Sequence, residues 1–481
     1  MNSYSFTGLE ARSSRPETHS FMRVVPLVEE LIPVPNAWEA AQTFSGFPHL
    51  LFLDSSQRHA ERGRYSFICA DPIRWLEISQ FTYGQTDPFA LLADLVAEYS
   101  SETIPGLPPF QGGLAGLFGY GLAHAIENLP RPRFDEFHVP DLAVGIYDWV
   151  IAFDHYQDRA WLISRDARRS IEVRRTLKSK TGDLGRFILD STSNVSALDL
   201  APRFPLPKRP EIASNFSRKA YLKTIGRTIE FIHAGDCFQA NISQRLLAST
   251  KALPLDLYER LRRLNPAPFS AYFDLGDFAV ASASPERFLR VENARVETRP
   301  IKGTRPRGQT AQEDAARIAE LASSAKDRAE NVMIVDLLRN DLGRVCEYGS
   351  VRVPMVCQVE SFEFVHHLVS MVTGRLRANK SPFDLLRAAF PGGSVTGAPK
   401  VRAMEIIAEL EPTARGPYCG SIGYVGFDGS MDTNILIRTY TIGKGWIQFP
   451  VGGGIVADSN PAQEYEETLH KAAGMLKALV R

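Results

Sequence analysis

From Asn215 onward the apolar positions follow two rhythms. Where they return every three or four residues, they mark one face of a helix. Tyr221, Ile225, Ile229 and Ile232 form such a stripe, opened by Ser217 as cap and stopped by Gly235. A second helix opens at Ser324, three residues before Asp327, a capping-box spacing with Asp in place of Glu, and runs to about Asn340. A third has Pro399 near its first turn and ends before Pro412. The last takes Asn460 as cap and Pro461 as first residue, turning Tyr465, Leu469, Ala472 and Leu476 toward a core. Between these helices lie short β-branched and aromatic runs that read as strands: Phe238 to Leu246, Phe278 to Ser284, Gly420 to Phe427, Asn434 to Thr441 and Trp446 to Val451.

Residues 21–165 alternate short β-branched or aromatic runs, such as Tyr65 to Cys69 and Val144 to Tyr147, with turn signals. The stretch 166–212 is charged, with Arg165, Arg168, Arg169, Arg174 and Arg175 at its start, and ends in the proline-spaced Pro202 to Pro210; it reads as a surface helix and linker. The expected organisation is a flexible tail over 1–20, an N-terminal lobe over 21–165, helix and linker over 166–212, and the main lobe over 213–481. Strands follow one another without strict alternation with helices, and no fixed-period repeat appears, so α+β with largely antiparallel sheets is favoured.

Composition narrows the partners. The chain has 481 residues, 44% of them hydrophobic, enough for a substantial core. Its 55 basic and 55 acidic side chains cancel, removing the electrostatic reason to expect nucleic acid or a membrane surface. Five cysteines without a CxxC spacing argue against a disulfide framework or structural zinc, and Met1 to Ser20 lacks the apolar core of a signal peptide. A cytoplasmic protein is expected.

Candidate chemistry lies almost wholly in the second half. Asp327 with Glu330, and Glu464 with Glu467, are carboxylate pairs at i, i+3, each on one helical face. If the faces meet, four acids converge and a hard divalent cation such as Mg²⁺ suits them; otherwise they serve the helix dipoles and face water. Gly452-Gly453-Gly454 after the Trp446 strand is an anion cradle or a tight turn. Arg438 inside an apolar run needs an anion, either a buried carboxylate or a substrate. Lys302 is a solvated lysine or, if desolvated, a nucleophile. Glu286 ends a strand of small residues as a surface turn or a partly buried acid, and His367 alternates with apolar neighbours as core histidine or base. Gly392 to Pro399, including Ser394, brings small residues and hydroxyls to a helix N-terminus. Acid pairs, one unusual lysine and several anion cradles suggest a small dianionic substrate held by Mg²⁺.

These segments resemble the chorismate-utilising enzymes, and within them the aminodeoxychorismate synthase component I branch, the large subunit of para-aminobenzoate synthase. The resemblance is dense over 215–481: Ile232 to Gln239, Ser284-Pro285-Glu286, Arg299 to Arg307, Ala325 to Arg344, Phe390 to Glu405, Gly420 to Tyr424, Met431 to Thr439 and Gly452 to Ser459. It is thinner over Leu53-Asp54-Ser55, Arg64-Tyr65-Ser66, Ala70-Asp71-Pro72 and Phe110 to Tyr120. The resemblance implies two interlocked lobes of the anthranilate synthase component I type, with antiparallel sheets inside and helices outside. It implies Mg²⁺ on Glu330 and Glu467, supported by Asp327 and Glu464; substrate held by Ser394, Tyr424, Arg438 and Gly452 to Gly454; Glu286 as general acid; and His367 near the ring.

Two positions select the branch. Isochorismate and salicylate synthases use a water-activating lysine where this chain has Gln239, so ammonia is the expected nucleophile. Anthranilate synthase large subunits have alanine where this chain has Lys302; in the aminodeoxychorismate branch that lysine forms a covalent adduct on the way to 4-amino-4-deoxychorismate. The alternatives are an anthranilate synthase component I and a catalytically silent regulatory subunit that binds chorismate or tryptophan. No Gly-x-Cys-x-Gly turn is present, so a separate glutamine amidotransferase subunit is the expected ammonia source. Ser55, Arg64, Tyr65, Pro268, Phe269 and Ser270 match a tryptophan pocket. Asp54 and Ala267-Pro268-Phe269 depart from its anthranilate-type pattern, which argues against tryptophan feedback.

Overall fold

The computed structural model describes residues 24–59, 62–85, 87–99, 101–178, 200–363 and 365–479. The expected tail over 1–20 and residues 179–199 of the expected linker lie outside the described residues.

Two large sheets, one of thirteen strands and one of ten, form the body. Pairing between their strands is antiparallel throughout. Both sheets mix the two halves of the chain. Leu51–Asp54 pairs with Phe269–Asp274 in the larger sheet, and Gly113–Phe118 pairs with Ser421–Gly426 in the smaller. The lobes therefore share their backbone ladders, which makes them interlocked as well as adjacent.

Many strands are buried on both faces, which explains why they read as unbroken apolar runs. Along Trp149–Asp154, Trp149, Ile151 and Phe153 face one core while Val150 and Ala152 face another. The second of these cores also holds Ala115, Leu117, Ala143 and Tyr147 from the smaller sheet, so it is the layer between the sheets. Helices cover the two outer faces. Ala37–Thr43, Pro254–Leu264 and Pro461–Leu479 pack on the larger sheet; Pro88–Ala97, Ala325–Gly343 and Pro382–Ala389 pack on the smaller.

The helix expectations hold closely. Arg218–His233 starts after Ser217, whose hydroxyl accepts from the Ala220 N–H at 3.2 Å. Asn460 Oδ1 accepts from Ala462 N and Gln463 N at the head of Pro461–Leu479. Ala325–Gly343 runs one turn past Asn340, and its box is half formed. Ser324 Oγ accepts from Asp327 N at 3.3 Å, but the Asp327 carboxylate is held by Arg305 instead of reaching back.

Two strand expectations change. Asn434 to Thr441 is not one strand: Met431–Asn434 and Thr439–Gly443 belong to different sheets, joined by a crossing at Ile435–Arg438 where Arg438 has φ +52°. A run largely enclosed on both sides has no polar alternation to reveal such a crossing. The Trp446 strand extends to Ile455, so the glycine triplet lies inside it. Beyond the surface helix Ala167–Lys178, Phe204–Leu206 and Arg209–Ser214 form a hairpin at the sheet edge. No helix among the described residues is long and apolar enough to cross a membrane.

Candidate active site

Three distant segments meet around Lys302. The Ile301–Pro306 strand carries Lys302, the end of Phe278–Ser284 carries Glu286, and the single turn Gly393–Val395 carries Ser394. Lys302 Nζ donates to the Ser394 carbonyl at 3.1 Å, and Ser394 Oγ donates to Glu286 Oε1 at 2.7 Å. Glu286 is 4% exposed, and burial pushes its carboxyl up to about 7, only partly offset by Ser394, Lys302 and the Ile301 N–H. Burial also draws the Lys302 ammonium down, against the pull of Glu330. Desolvation thus shifts both groups toward their neutral forms, the free amine and the carboxylic acid that a nucleophile and a general acid need.

His367 lies directly across the ladder from Thr304, whose hydroxyl is 2.8 Å from Nδ1. Burial, with Arg438 and Arg62 nearby, holds the ring down to about 3, so the imidazole is neutral. It is a satisfied core histidine that also borders a cavity, described below.

The two acid-bearing helices approach the same region. Gly453 marks the gap: a Cβ built there would lie 3.4 Å from Glu464 Oε2 and Lys471 Nζ and 3.6 Å from Glu467 Oε1. Burial raises the Glu330 carboxyl, Lys302 and Lys326 oppose the rise, and Asp327 and Glu464 add to it. Lysines neutralise the cluster: Lys471 pairs with Glu467 at 2.7 Å and Lys326 with Glu464 at 3.6 Å. Among the described residues no three His, Cys, Asp or Glu side chains close into a metal-holding group. The donor chemistry nonetheless fits a hard divalent cation, since Glu330, Glu464 and Glu467 are oxygen donors whose mutual repulsion a cation relieves. Asp327 is tied to Arg305 at 3.1 Å, and Glu464 also accepts from Ser459 Oγ at 2.7 Å.

The glycine triplet works by close approach. Gly454 lies opposite Asn241 in the ladder, and a Cβ on it would fall 2.6 Å from Gln239 Nε2. The Gln239 side chain is fully buried, and neither amide atom has a partner among the described residues. Gly454→Ala should therefore lower the thermal midpoint, at an overpacking cost of about 1–3 kcal/mol; an unchanged melting curve would mean that Gln239 can turn away freely.

Two cavities flank this centre. One is lined by His367 and Arg438 together with Gln57, Asn265, Pro285 and Phe362. The other gathers all six residues of the expected tryptophan pocket, Ser55, Arg64, Tyr65, Pro268, Phe269 and Ser270. Tyr424 lines this second cavity, stacked on Phe110 at 4.4 Å, and does not join the group around Glu286. Arg438, fourteen residues further along the chain, lines the first cavity. The Asp54 carboxylate is engaged by Tyr258 Oη at 2.9 Å and Arg262 Nε at 2.8 Å. Sequence reasoning missed Arg305, Lys326, Lys471 and Asn265. Only Lys471 left a local signal, its i, i+4 spacing from Glu467.

A family model described as chorismate binding enzyme matches residues 50–477. Aminodeoxychorismate synthase component 1 of Salmonella typhimurium is 44% identical over 467 residues, covering 93% of this chain and 98% of that protein. Anthranilate synthase component 1 of Pseudomonas aeruginosa is 39% identical over 452 residues, 90% of each. Among solved structures, anthranilate synthase component I from Streptococcus pneumoniae matches with a TM-score of 0.71 and 32% identity, over 87% of this chain and 93% of that one. Agreement in sequence over nearly the whole length, and in fold with a relative of the same kind, leads to one conclusion: this chain belongs to the chorismate binding enzyme family.

Proposed function

We propose that the chain aminates chorismate at C4, giving 4-amino-4-deoxychorismate for para-aminobenzoate and folate synthesis. The observation that carries this reading is the Lys302–Ser394–Glu286 contact, a buried cluster of an amine of lowered basicity and a carboxyl pushed up to about 7. The Lys302 amine attacks C2 of the ring, both ring double bonds shift (C1=C2 to C1=C6 and C5=C6 to C4=C5), and the C4 hydroxyl leaves as water with the Glu286 proton. Ammonia then adds at C4 as both double bonds return and lysine departs as the free amine; the extra proton on the new C4 ammonium restores Glu286, and the product keeps its enolpyruvyl group. Splitting one substitution into two allylic steps lowers each barrier. The neutral His367 and the Gln239 amide orient the ring and the incoming nucleophile.

Mg²⁺ held by Glu330, Glu464 and Glu467, with Asp327 in support, would supply positive charge for the ring carboxylate. The expected result is that EDTA abolishes turnover and Glu467→Ala weakens Mg²⁺ binding at least about tenfold by calorimetry. Full activity in EDTA would remove the metal from the reading.

Relatives carry the name component 1, which implies a second component; a glutamine amidotransferase supplying ammonia is the partner we propose. All five cysteines are free and buried, in keeping with a cytoplasmic setting. The pocket of Ser55, Arg64, Tyr65, Pro268, Phe269 and Ser270 is proposed to hold a structural occupant of tryptophan type, without feedback.

The test incubates the chain with chorismate, Mg²⁺ and an ammonium salt at mildly alkaline pH, followed by mass-resolved chromatography and a pyruvate assay. Aminodeoxychorismate without pyruvate is expected. Anthranilate with stoichiometric pyruvate would assign the chain to the anthranilate synthase branch instead.

A further inference from the structure

The cavity beside His367 has an unusual polar inventory. Arg438 supplies a cation, Asn265 and Gln57 supply amides, His367 is a neutral ring, and among the described residues no carboxylate lines the walls. Arg438 is held in a left-handed backbone conformation at the crossing between sheets, and among the described residues no carboxylate pairs with it. A desolvated guanidinium without an anion is costly, so the cavity is built to be completed by an anion from outside the protein.

Asn265 stands in the same cavity with its Nδ2 buried and unpartnered. Its placement is tightly determined. The backbone N–H donates to the Leu261 carbonyl at 2.8 Å, closing the helix Pro254–Leu264. Two residues on, Ala267 bonds to both Gln57 and Ser56, which ties the segment to the N-terminal half of the chain. On its other side the amide packs against Gly474 so closely that a Cβ there would fall 1.7 Å from Oδ1. Helix Pro461–Leu479, which also carries Glu464 and Glu467, thus leaves a gap at Gly474 that the Asn265 side chain fills. An amide wedged in this way, with an unused donor on a wall of the cavity that an unused guanidinium also lines, matches the second oxygen of a carboxylate.

We propose that Asn265 is a substrate-binding residue, whose Nδ2 donates to the same carboxylate that Arg438 pairs with. The carboxylate belongs to the dianionic ring substrate, and the inference rests on reading this cavity as part of the substrate site. Arg438 supplies the charge and Asn265 fixes the carboxylate's orientation, distinguishing a planar carboxylate from a monodentate anion.

Steady-state kinetics at saturating ammonium, with Asn265→Ala, Asn265→Asp and Arg438→Gln, test this. Losing a hydrogen bond to a charged group should raise the KM for chorismate about tenfold in Asn265→Ala. Asn265→Asp keeps the shape that fits Gly474 but repels the substrate and captures Arg438, so its KM should rise further. In both, kcat and the KM for ammonia should stay within about twofold of wild type. Calorimetric titration of chorismate without ammonium should show the same loss of affinity, a readout that a packing defect alone would not single out. If Arg438→Gln raises the chorismate KM while Asn265→Asp, melting like wild type, does not, the role of Asn265 is overturned and the substrate cavity stands. If neither variant changes chorismate affinity, the cavity is not a carboxylate site and both readings fall together.

Discussion

Lys302→Ala is expected to lose the covalent adduct on chorismate, and amination should fall by roughly a thousandfold or more, as happens when a nucleophile is removed. Any residual rate would come from direct attack of ammonia, since Glu286 and Ser394 remain in place. The expectation rests on the unusual position of this amine, which bonds to the Ser394 carbonyl at 3.1 Å while burial lowers its basicity. A surface lysine would be nearly all protonated at neutral pH and a poor nucleophile. Intact-mass spectrometry during turnover checks this directly: the wild-type chain should gain an adduct that the variant lacks. A chorismate-dependent mass shift persisting in Lys302→Ala would transfer the nucleophilic role elsewhere.

Glu286→Gln should cost about 10²- to 10⁴-fold in kcat, because the amide keeps the shape and the Ser394 hydrogen bond but has no acidic proton. The wild-type rate should also lose its acid as pH rises through about 7, a limb the variant should lack. Wild-type stability should fall over the same range, and the variant's stability should move opposite to its activity. With the folded carboxyl near 7 and the unfolded value at 4.5, the folded state binds the proton more tightly. That stabilisation is fully present below the unfolded value and lost as pH rises through about 7. At pH 8 the buried carboxylate then costs about 3 kcal/mol relative to the acid form. Thermal scans should therefore find Glu286→Gln more stable than wild type at pH 8 and not at pH 4. A variant equally destabilised at both would mean the carboxylate is better paired than its surroundings indicate.

How much could be read in advance depended on whether a feature is local. The cap at Asn460 and the stripe from Tyr465 announce their helix because the cap, the first-turn proline and the core face all lie within one short segment. The same logic was available at Ser381, where a reciprocal box with Asp384 opens Pro382–Ala389, but eight residues show too little periodicity to stand out. The crossing at Ile435–Arg438 was illegible for another reason. Its side chains are largely enclosed on both sides of the turn, so hydrophobicity does not change where the chain leaves one sheet for the other. The glycine triplet was expected after the Trp446 strand and lies inside it, since only the facing Gln239 reveals that the missing side chains make room there.

The sequence by itself determined the α+β class, the helix starts, the family resemblance and the chemical types at the site, because caps, periodicity and ordered motifs are encoded within a few residues of one another. Tertiary structure alone decided which of those groups meet and in what protonation state. Ser394 lies 108 residues from Glu286 and 92 from Lys302, and only the folded sheets bring the three into contact. It also decided that Tyr424 and Arg438 line different cavities, that Asp327 is claimed by Arg305, and that Asn265 shares a cavity with Arg438. The physical reason is that hydrogen bonding and desolvation act through space at a few ångströms, and the chain order of two residues says almost nothing about either when a hundred others lie between them.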